Sequence, residues 1–541
     1  MTEEPEEESV VHRRYRLRLD PNQSQLQVLG QLVGAARVAF NMMCAYNLKI
    51  DQSRQERHKE LTDAGLDSGA AWKQVDREAK TNSSLKILGS RQFDTEKFTS
   101  ERDRHRKAAA DIAAGADPAT VWDPEKEGYA APWLHTVTRR VMVSGFNNCG
   151  AAFSNWIKSR SGKRQGPKMG QPKFKKKYRS GESFTIPVPE AMGPKGFASY
   201  KRGEERSGEI ADYRHVRLSH LGTFRTFDST KRLVRALRRG GVLKSYTVSR
   251  KANWWYVSFL VAHPAPQDPP QPTRRQREAG AVGLDFGVSQ LITLSTGGGI
   301  ANPRHRARAE KKIKRVKRKL DRAQKGSNRR KKLAQRLARH EHTVALQRRG
   351  FLNELTTALA DSFAAIGIED LNVAGMTSSA RGTVDHPGSN VKQKAGLNRA
   401  ILDASPGEFR RQLNYKCTER GVALVAIDQF FPSSQICSEC GSKTKMPLAK
   451  RDYDCQQCEM LLDRDINAAI NILREATRLA QANHEDSSAP EGADIKWPWS
   501  PQHTGPGGGQ GWSLGHGSGK AHVVTAVEQS TARPLEPAGS Q

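Results

Sequence analysis

Long apolar runs and cysteines are scarce in this sequence. The first absence argues against a membrane-spanning protein, and the second argues against a disulfide-stabilised secreted protein. None of its 541 residues lies in a run approaching the ~20 apolar residues that a membrane span needs. The acidic N-terminus lacks the basic-then-apolar pattern of a secretory signal peptide. The seven cysteines, an odd number, do not suggest a disulfide framework. We therefore expect a cytosolic protein with no membrane partner.

Acidic residues are also fewer than basic ones. The chain has 88 Lys and Arg against 57 Asp and Glu, so its formal net charge is +31. Residues 304–350 alone carry 20 Lys and Arg but 3 Asp and Glu. A merely basic, solvated surface is the alternative, but such concentration favours a phosphate-binding surface. The predicted nucleic-acid contacts are Lys173, Lys175, Lys176 and Lys177 in a basic loop, and Lys311, Lys312, Arg315 and Arg318 in the 304–350 stretch.

Four of the cysteines form two CxxC pairs that are typical of a zinc ribbon. They are Cys437, Cys440, Cys455 and Cys458, with 14 residues between the pairs. Four thiolates fill a tetrahedral zinc site completely, so we expect one structural Zn²⁺ with no catalytic role. Four unrelated free cysteines are the alternative. The other three, Cys44, Cys149 and Cys417, stand in apolar helical patterns and are predicted to be small core residues.

Acidic residues end apolar strand-like segments or begin a helix. Asp285 and Glu369 end two such segments, and Asp463 and Asp465 precede a helical pattern. Singly, each fits a turn, a strand end or a helix cap. Together they could project from the edge of one sheet and hold two Mg²⁺ ions about 4 Å apart, which would activate water for phosphodiester cleavage. With the zinc motif, this set indicates a metal-dependent nuclease of the RuvC/RNase H type.

The order of patterns predicts several domains. A strand at 11–19 precedes a helical block, and short β segments from 183 to 263 are expected to form a barrel with it. A Pro-rich linker, 264–272, leads to an α/β domain with strands at 281–285, 363–369 and 422–428. Ser405 to Glu408 has the Ser-x-x-Glu pattern of a capping box.

The predicted fold class is multidomain α/β: an N-terminal β-barrel with an inserted helical lobe, then an RNase H-like (RuvC) nuclease domain with an inserted zinc ribbon. The predicted domains are 1–20, a disordered acidic start and first barrel strand; 21–160, the helical recognition lobe; 161–272, the wedge-like barrel and linker; 273–430, the first nuclease part; 431–460, the zinc ribbon; 461–483, the last nuclease part; and 484–541, a disordered tail.

Several motifs resemble the TnpB proteins of insertion sequences and their descendants, the compact type V CRISPR effector nucleases. They lie at 170–177, 255–259, 283–287, 367–372, 431–437 and 463–469. The resemblance covers most of the chain outside its two tails and is weakest between 49 and 131. It implies an RNA-guided DNA endonuclease whose catalytic acids are Asp285, Glu369 and Asp465, with Asp463 as the alternative third ligand.

This resemblance also implies the partners and leaves several functions open. The expected partners are a guide RNA and double-stranded target DNA, in a prokaryotic cytosol; a monomer with one guide is favoured, and a dimer stays open. The length of 49–131 favours an antiviral CRISPR effector over a TnpB nuclease that takes its guide from a transposon end. The other candidates are a guided binder that does not cut and a zinc-ribbon RNA-binding protein.

Overall fold

The computed structural model describes residues 10–117, 136–177, 181–188, 213–218, 221–265, 268, 270–447 and 450–485. The predicted acidic start before Val10 and the predicted tail beyond Glu485 lie outside these residues. The chain divides into two compact units, Met1–Ala265 and Pro266–Gln541. Each unit is described by itself.

The first unit combines one antiparallel sheet with long helices. Its strands are β1 (Val10–Asp20), β2 (Glu182–Pro187), β3 (His215–Leu218), β4 (Gly222–Thr226), β5 (Val242–Lys251) and β6 (Trp254–Pro264). Its helices are α1 (Gln23–Asp63), α2 (Ser68–Glu78), α3 (Ser90–Phe93), α4 (Thr99–Ala113), α5 (Arg139–Arg160) and α6 (Lys231–Arg238), with a 3₁₀ turn at Ser83–Leu85 and a π turn at Asp94–Phe98.

The strand at the start of the chain is central in the first sheet, whose order is β2-β5-β6-β1-β4-β3. β1 pairs with β6 from Val10↔Pro264 to Leu19↔Trp255, which confirms that the first strand joins segments distant in sequence. Among the described residues β2 and β3 stand at the edges of this sheet. The closed barrel therefore stays a prediction.

Helices α1 and α5 pack closely through small residues. A Cβ at Gly145 would lie 2.4 Å from the carbonyl oxygen of Ala36, so only glycine permits this approach. By length and composition α1 could cross a membrane, but 56% of its apolar window is buried inside the protein, as in a core helix. Cys44 and Cys149 are fully buried in these helices, which confirms that they are core residues.

The second unit contains an α/β domain and a small cysteine-rich module. Its strands are β7 (Ala281–Phe286), β8 (Gln290–Leu294), β9 (Gly299–Ala301), β10 (Ala365–Glu369), β11 (Ala423–Ile427), β12 (Asp452–Asp454) and β13 (Leu461–Asp463). Its helices are α7 (Arg274–Ala279), α8 (His305–Asp321), α9 (Asn328–Ser362), α10 (Val373–Met376), α11 (Val391–Ala404), α12 (Pro406–Thr418) and α13 (Arg464–Glu485).

The five-stranded sheet of this unit has the order β11-β10-β7-β8-β9. β10 lies parallel to both β7 and β11, whereas β8 and β9 continue the sheet antiparallel. One face packs on α9 and α12 through alternate residues such as Val282 and Ile366. The other face receives α13, which packs against Ile427. This topology of a three-strand antiparallel meander extended by two parallel strands agrees with the predicted RNase H-like architecture.

The predicted capping box at Ser405 is wrong. Ser405 has a left-handed backbone (φ 57°) and makes no side-chain cap to α12. Its hydroxyl instead donates a 2.9 Å bond to the carbonyl of Leu402, because the residue ends α11 as it begins α12. Pro406 does open α12, as expected. Glu408 pairs with Arg411 rather than reaching back to the cap.

Candidate active site and metal centre

The strand register brings two of the predicted acids to one edge of the second sheet. Leu284 of β7 pairs with Ile368 of β10 in a parallel register. The following residues, Asp285 and Glu369, therefore stand beside each other where the two strands end. Parallel strands end at a common edge, so this juxtaposition follows from the register alone.

Helix α13 brings the third acid to the same edge because two glycines let it approach the sheet. A Cβ at Gly283 would lie 2.1 Å from the carbonyl oxygen of Ala469, and one at Gly367 would lie 2.8 Å from the Cβ of Ala476. No larger residue fits without moving the helix. Asp465 precedes Ala469 by one helical turn and is thereby held over the end of the sheet.

The two acids at the start of α13 have different partners. Asp463 Oδ1 accepts the backbone N–H groups of Asp465 (2.9 Å) and Ile466 (3.0 Å), as a helix N-cap does. Among the described residues the carboxylate of Asp465 caps no backbone N–H group, and it lies 3.8 Å from the guanidinium of Arg451. The geometry supports Asp465 rather than Asp463 as a metal ligand.

Burial and neighbouring negative charge act together on the carboxylate of Asp285. Burial raises the pKa of Asp285 to about 7, with further upward contributions from the charges of Glu369 and Asp465. Burial also raises the pKa of Glu369, which a hydrogen bond from Ser433 opposes. Carboxylates close to one another and partly shielded from water are the kind of oxygen donors that a hard divalent cation prefers.

The four cysteines of the CxxC pairs meet in a cluster that could hold a metal ion. Their sulfur atoms all lie within 4.8 Å of one another. The Sγ atoms are 3.6 Å apart in Cys437–Cys458 and also in Cys440–Cys455. Zinc–sulfur bonds of ~2.3 Å in a tetrahedron require sulfur separations of roughly 3.8 Å, so the cluster fits a tetrahedral ion. Tyr453, fully buried, forms the small core beside it.

Two buried asparagines attach this module to α13. Asn467 donates to the carbonyl of Ile436 (2.7 Å) and accepts the N–H of Ser438 (2.8 Å), on either side of Cys437. Asn471 donates to the carbonyls of Ser433 (2.8 Å) and Ile436 (2.6 Å). Sequence reasoning missed these contacts. The sequence pattern that could have indicated them is the pair Asn467 and Asn471, which lie four residues apart on an otherwise apolar helix face.

The predicted basic contacts differ in their surroundings. Lys311, Lys312, Arg315 and Arg318 are exposed on α8, and Lys173, Lys176 and Lys177 are exposed in the basic loop. Lys175 is different: its backbone exchanges two hydrogen bonds with Asn41 (2.8 and 3.1 Å), and its ammonium lies 4.1 Å from the centre of the Phe40 ring. Burial lowers the pKa of Lys175. Lys175 therefore anchors the loop on α1.

Family models match three regions of the chain. Residues 258–380 match a family described as "Probable transposase" (OrfB of IS605), and residues 407–472 match a Cas12f1-like TNB domain. Residues 9–56 match a "Helix-turn-helix domain". Over 10–56, however, the structure has β1 followed by the single continuous helix α1. The Cas12f1-like match contains all four clustered cysteines.

Relatives named RNA-guided DNA endonucleases match over long stretches. A "Putative RNA-guided DNA endonuclease" of Streptomyces pristinaespiralis is 31% identical over 69% of this chain and 79% of its own length. A Mycobacterium tuberculosis protein of that name is 29% identical over 91% of both chains. The Escherichia coli protein InsQ, likewise named, is 39% identical over 43% of this chain and 56% of its own.

One of the solved structures that the chain matches is that of the Cas12f1–sgRNA–target DNA complex. The match covers 86% of this chain and 98% of that one, with 13% identity and a TM-score of 0.36. The family assignment rests on the sequence matches instead. Because the Streptomyces relative is covered over most of its length, and the IS605 family model matches the β7–β10 region, the chain belongs to the TnpB/IS605 transposase family.

Proposed function

We propose that this protein is a Mg²⁺-dependent DNA endonuclease directed by a guide RNA, acting as a TnpB nuclease. The observation that carries the proposal is the convergence of Asp285, Glu369 and Asp465 at one end of the five-stranded sheet. Three acids on two strands and one helix would supply the oxygen ligands that two divalent cations need for phosphodiester hydrolysis.

The chain's own residues supply position and charge in this mechanism. Asp285, Glu369 and Asp465 would hold two Mg²⁺ ions, which when bound activate water and neutralise charge on the cleaved phosphate. Asp463 fixes the first turn of α13 and thereby the direction of Asp465. Ser433 fixes one oxygen of Glu369. The glycines of β7 and β10 allow α13 to pack closely on the sheet, which keeps Asp465 at the edge that carries Asp285 and Glu369.

The source of the guide separates two versions of this function. The names of the relatives support a TnpB nuclease, with a guide derived from a transposon end, at least as well as the CRISPR effector expected from the length of 49–131. A guided binder that does not cut is disfavoured by the complete acidic set. We propose that the protein acts in the prokaryotic cytosol as a monomer with one guide RNA.

We further propose that the cysteine cluster binds one structural Zn²⁺, since all four ligand positions are sulfur. The exposed basic side chains of α8, Lys311, Lys312, Arg315 and Arg318, would contact nucleic-acid phosphates, as would Lys173, Lys176 and Lys177. Such contacts bind the backbone without reading its sequence, which base pairing with the guide would supply.

The test is a cleavage assay with protein purified together with its bound RNA. Wild-type protein should carry a discrete RNA and cut double-stranded DNA that matches it, in a Mg²⁺-dependent reaction. Removing the RNA should abolish cutting, and adding a guide should restore it. Asp285→Ala should bind the same guided target without cutting it. Equal cutting of matched and unmatched DNA by RNA-free protein would refute guidance and leave a plain nuclease.

A further inference from the structure

A cleft of about 640 Å³ lies between α8 and α11 in the second unit. Its walls carry five cationic side chains and two carboxylates. The cations are Arg304, Arg306, Lys314, Lys317 and Arg399, and the acids are Glu310 and Asp403. None of these residues belongs to the candidate active site formed by Asp285, Glu369 and Asp465.

Both acids of the cleft are already engaged. Asp403 accepts a hydrogen bond from the backbone N–H of Arg306 (2.9 Å) and forms an ion pair with Arg348 (2.7 Å). Glu310 forms an ion pair with Lys314 at 3.1 Å. The guanidinium of Arg306 pairs with Glu341 at 3.4 Å. Within the described part of the chain, the three remaining cations, Arg304, Lys317 and Arg399, form no ion pair within 4 Å, although the charge of Arg399 acts on Glu310. The cleft therefore holds positive charge that its own acids do not neutralise.

One wall of the cleft is fixed in an uncommon conformation. Arg304 has a left-handed backbone (φ 47°, ψ 48°), which non-glycine residues adopt infrequently. Asn302 holds it there, accepting the Arg304 N–H at 3.0 Å and donating to the carbonyl of Val288 at 2.9 Å. Such conformations persist where the surroundings enforce them, and they are concentrated at binding sites.

We propose that this cleft binds successive phosphates of a nucleic-acid strand through Arg304, Lys317 and Arg399. The proposal rests on the proposed function and adds a contact site to it. Guanidinium and ammonium groups are the side chains that neutralise phosphodiesters. Lys317 shares its side of α8 with cleft residues at helical spacing, whereas Lys311 and Arg315 lie on the other side. The helix would thus present two cationic faces.

The experiment compares two matched triple variants in the full chain. One changes Arg304, Lys317 and Arg399 to Gln; the other changes Lys311, Arg315 and Arg318 to Gln. Binding to RNA and to DNA oligonucleotides of one sequence is measured over a range of salt concentrations. The cleft variant should lose about tenfold or more in affinity for at least one polymer, with the salt slope reduced by about 2 to 3. The polymer affected identifies the strand.

Two results would overturn this assignment. In one, the cleft variant keeps the affinity and salt slope of the wild type for both polymers. In the other, ATP binds to the cleft as tightly as the oligonucleotides, so that a single nucleotide and not a strand is the ligand. If the wild type performs guided cleavage in either case, the cleft assignment fails while the proposed function stands.

A second inference comes from the contacts around Glu369. Ser433 is 6% exposed and donates a 2.7 Å hydrogen bond to Glu369 Oε1. The carbonyl of Ser433 accepts from Asn471, and the same amide holds Ile436 beside the cysteine cluster. One side chain of α13 therefore fixes both the cysteine module and the serine that contacts the acid.

We infer that Ser433 is a positioning residue, which presents Glu369 for metal binding; this too rests on the proposed function. Groups that hydrogen-bond to a metal ligand fix its orientation, and their loss typically weakens metal affinity 10- to 100-fold. Because Ser433 is held from α13, the helix that carries Asp465 also sets the orientation of Glu369.

The test measures Mn²⁺ binding directly, by electron paramagnetic resonance, together with zinc content and the Mg²⁺ dependence of cleavage. Ser433→Ala should weaken Mn²⁺ binding about tenfold while zinc content is unchanged. Ser433→Thr, which keeps a hydroxyl, should restore it to within about twofold, and Ser434→Ala should resemble the wild type. Unchanged Mn²⁺ affinity in Ser433→Ala would overturn the role. Loss of zinc in that variant would also do so, since the residue would then be structural.

Discussion

Gly283 of β7 lies against the backbone of α13, where a Cβ would be 2.1 Å from the carbonyl oxygen of Ala469. This contact sets the distance between the helix and the sheet, and hence between Asp465 and the acids at the strand ends. A single methyl group at this position would separate parts of the proposed active site.

Gly283→Ala should therefore lower both stability and activity. The added carbon meets backbone atoms, which cannot rotate away, so we expect a loss of about 2 kcal/mol or more in the free energy of unfolding. Chemical denaturation and cleavage rate measure the two effects. Gly350→Ala is the control, because nothing lies within 4 Å of its Cβ position in α9, and alanine there should be neutral or stabilising. Equal behaviour of the two variants would contradict the packing argument.

Asp285 should destabilise the metal-free protein at high pH. Its pKa rises from the usual 3.8 to about 7 in the folded state, so the folded chain binds the proton more tightly. The stabilisation that comes from this tighter proton binding is fully present below the unfolded pKa of 3.8 and is lost as the pH rises through about 7.

Asp285→Asn removes that dependence. At about pH 8 without Mg²⁺, the variant should melt at least about 2 °C above the wild type, and the difference should shrink towards about pH 4. Added Mg²⁺ should raise the melting temperature of the wild type but not that of Asp285→Asn. A difference that grows as the pH falls would contradict the raised pKa.

Asp465→Asn and Asp463→Asn should separate a metal ligand from a helix cap. Asp465→Asn should abolish cleavage while leaving guided DNA binding intact, because the amide cannot replace a charged ligand. Asp463→Asn retains an oxygen acceptor for the N–H groups of Asp465 and Ile466, so its activity should fall by less than about tenfold. An inactive Asp463→Asn beside an active Asp465→Asn would reverse the assignment.

Cys455→Ser should remove the metal of the cysteine module. Metal analysis of the wild type should give about one zinc per chain, and the variant should lose it. The small core around Tyr453 should then become accessible to protease. Cys417→Ser is the control, since that thiol is buried in the core of the α/β domain, and it should keep its zinc. Full zinc occupancy in Cys455→Ser would refute the four-cysteine site.

Local sequence patterns were sufficient to identify the cysteine ligands and the strands of the α/β domain. Two CxxC pairs predict a four-thiolate cluster because each pair supplies two ligands from one turn, and the structure brings all four sulfurs together. The strands that carry Asp285 and Glu369 were predictable because parallel strands buried on both faces are continuously apolar. The sequence order of these elements also indicated the nuclease architecture.

Polar contacts between residues distant in the chain could be assigned only once the folded arrangement was known. Asp463 and Asp465 are equivalent in pattern, and the direction of the first turn of α13 separates the cap from the candidate ligand. Lys175 resembles its neighbours in a basic loop until Asn41 holds its backbone. Ser433 contacts Glu369 only because the chain returns there after 64 residues. Such contacts depend on packing between elements, for which no local sequence pattern provides a rule.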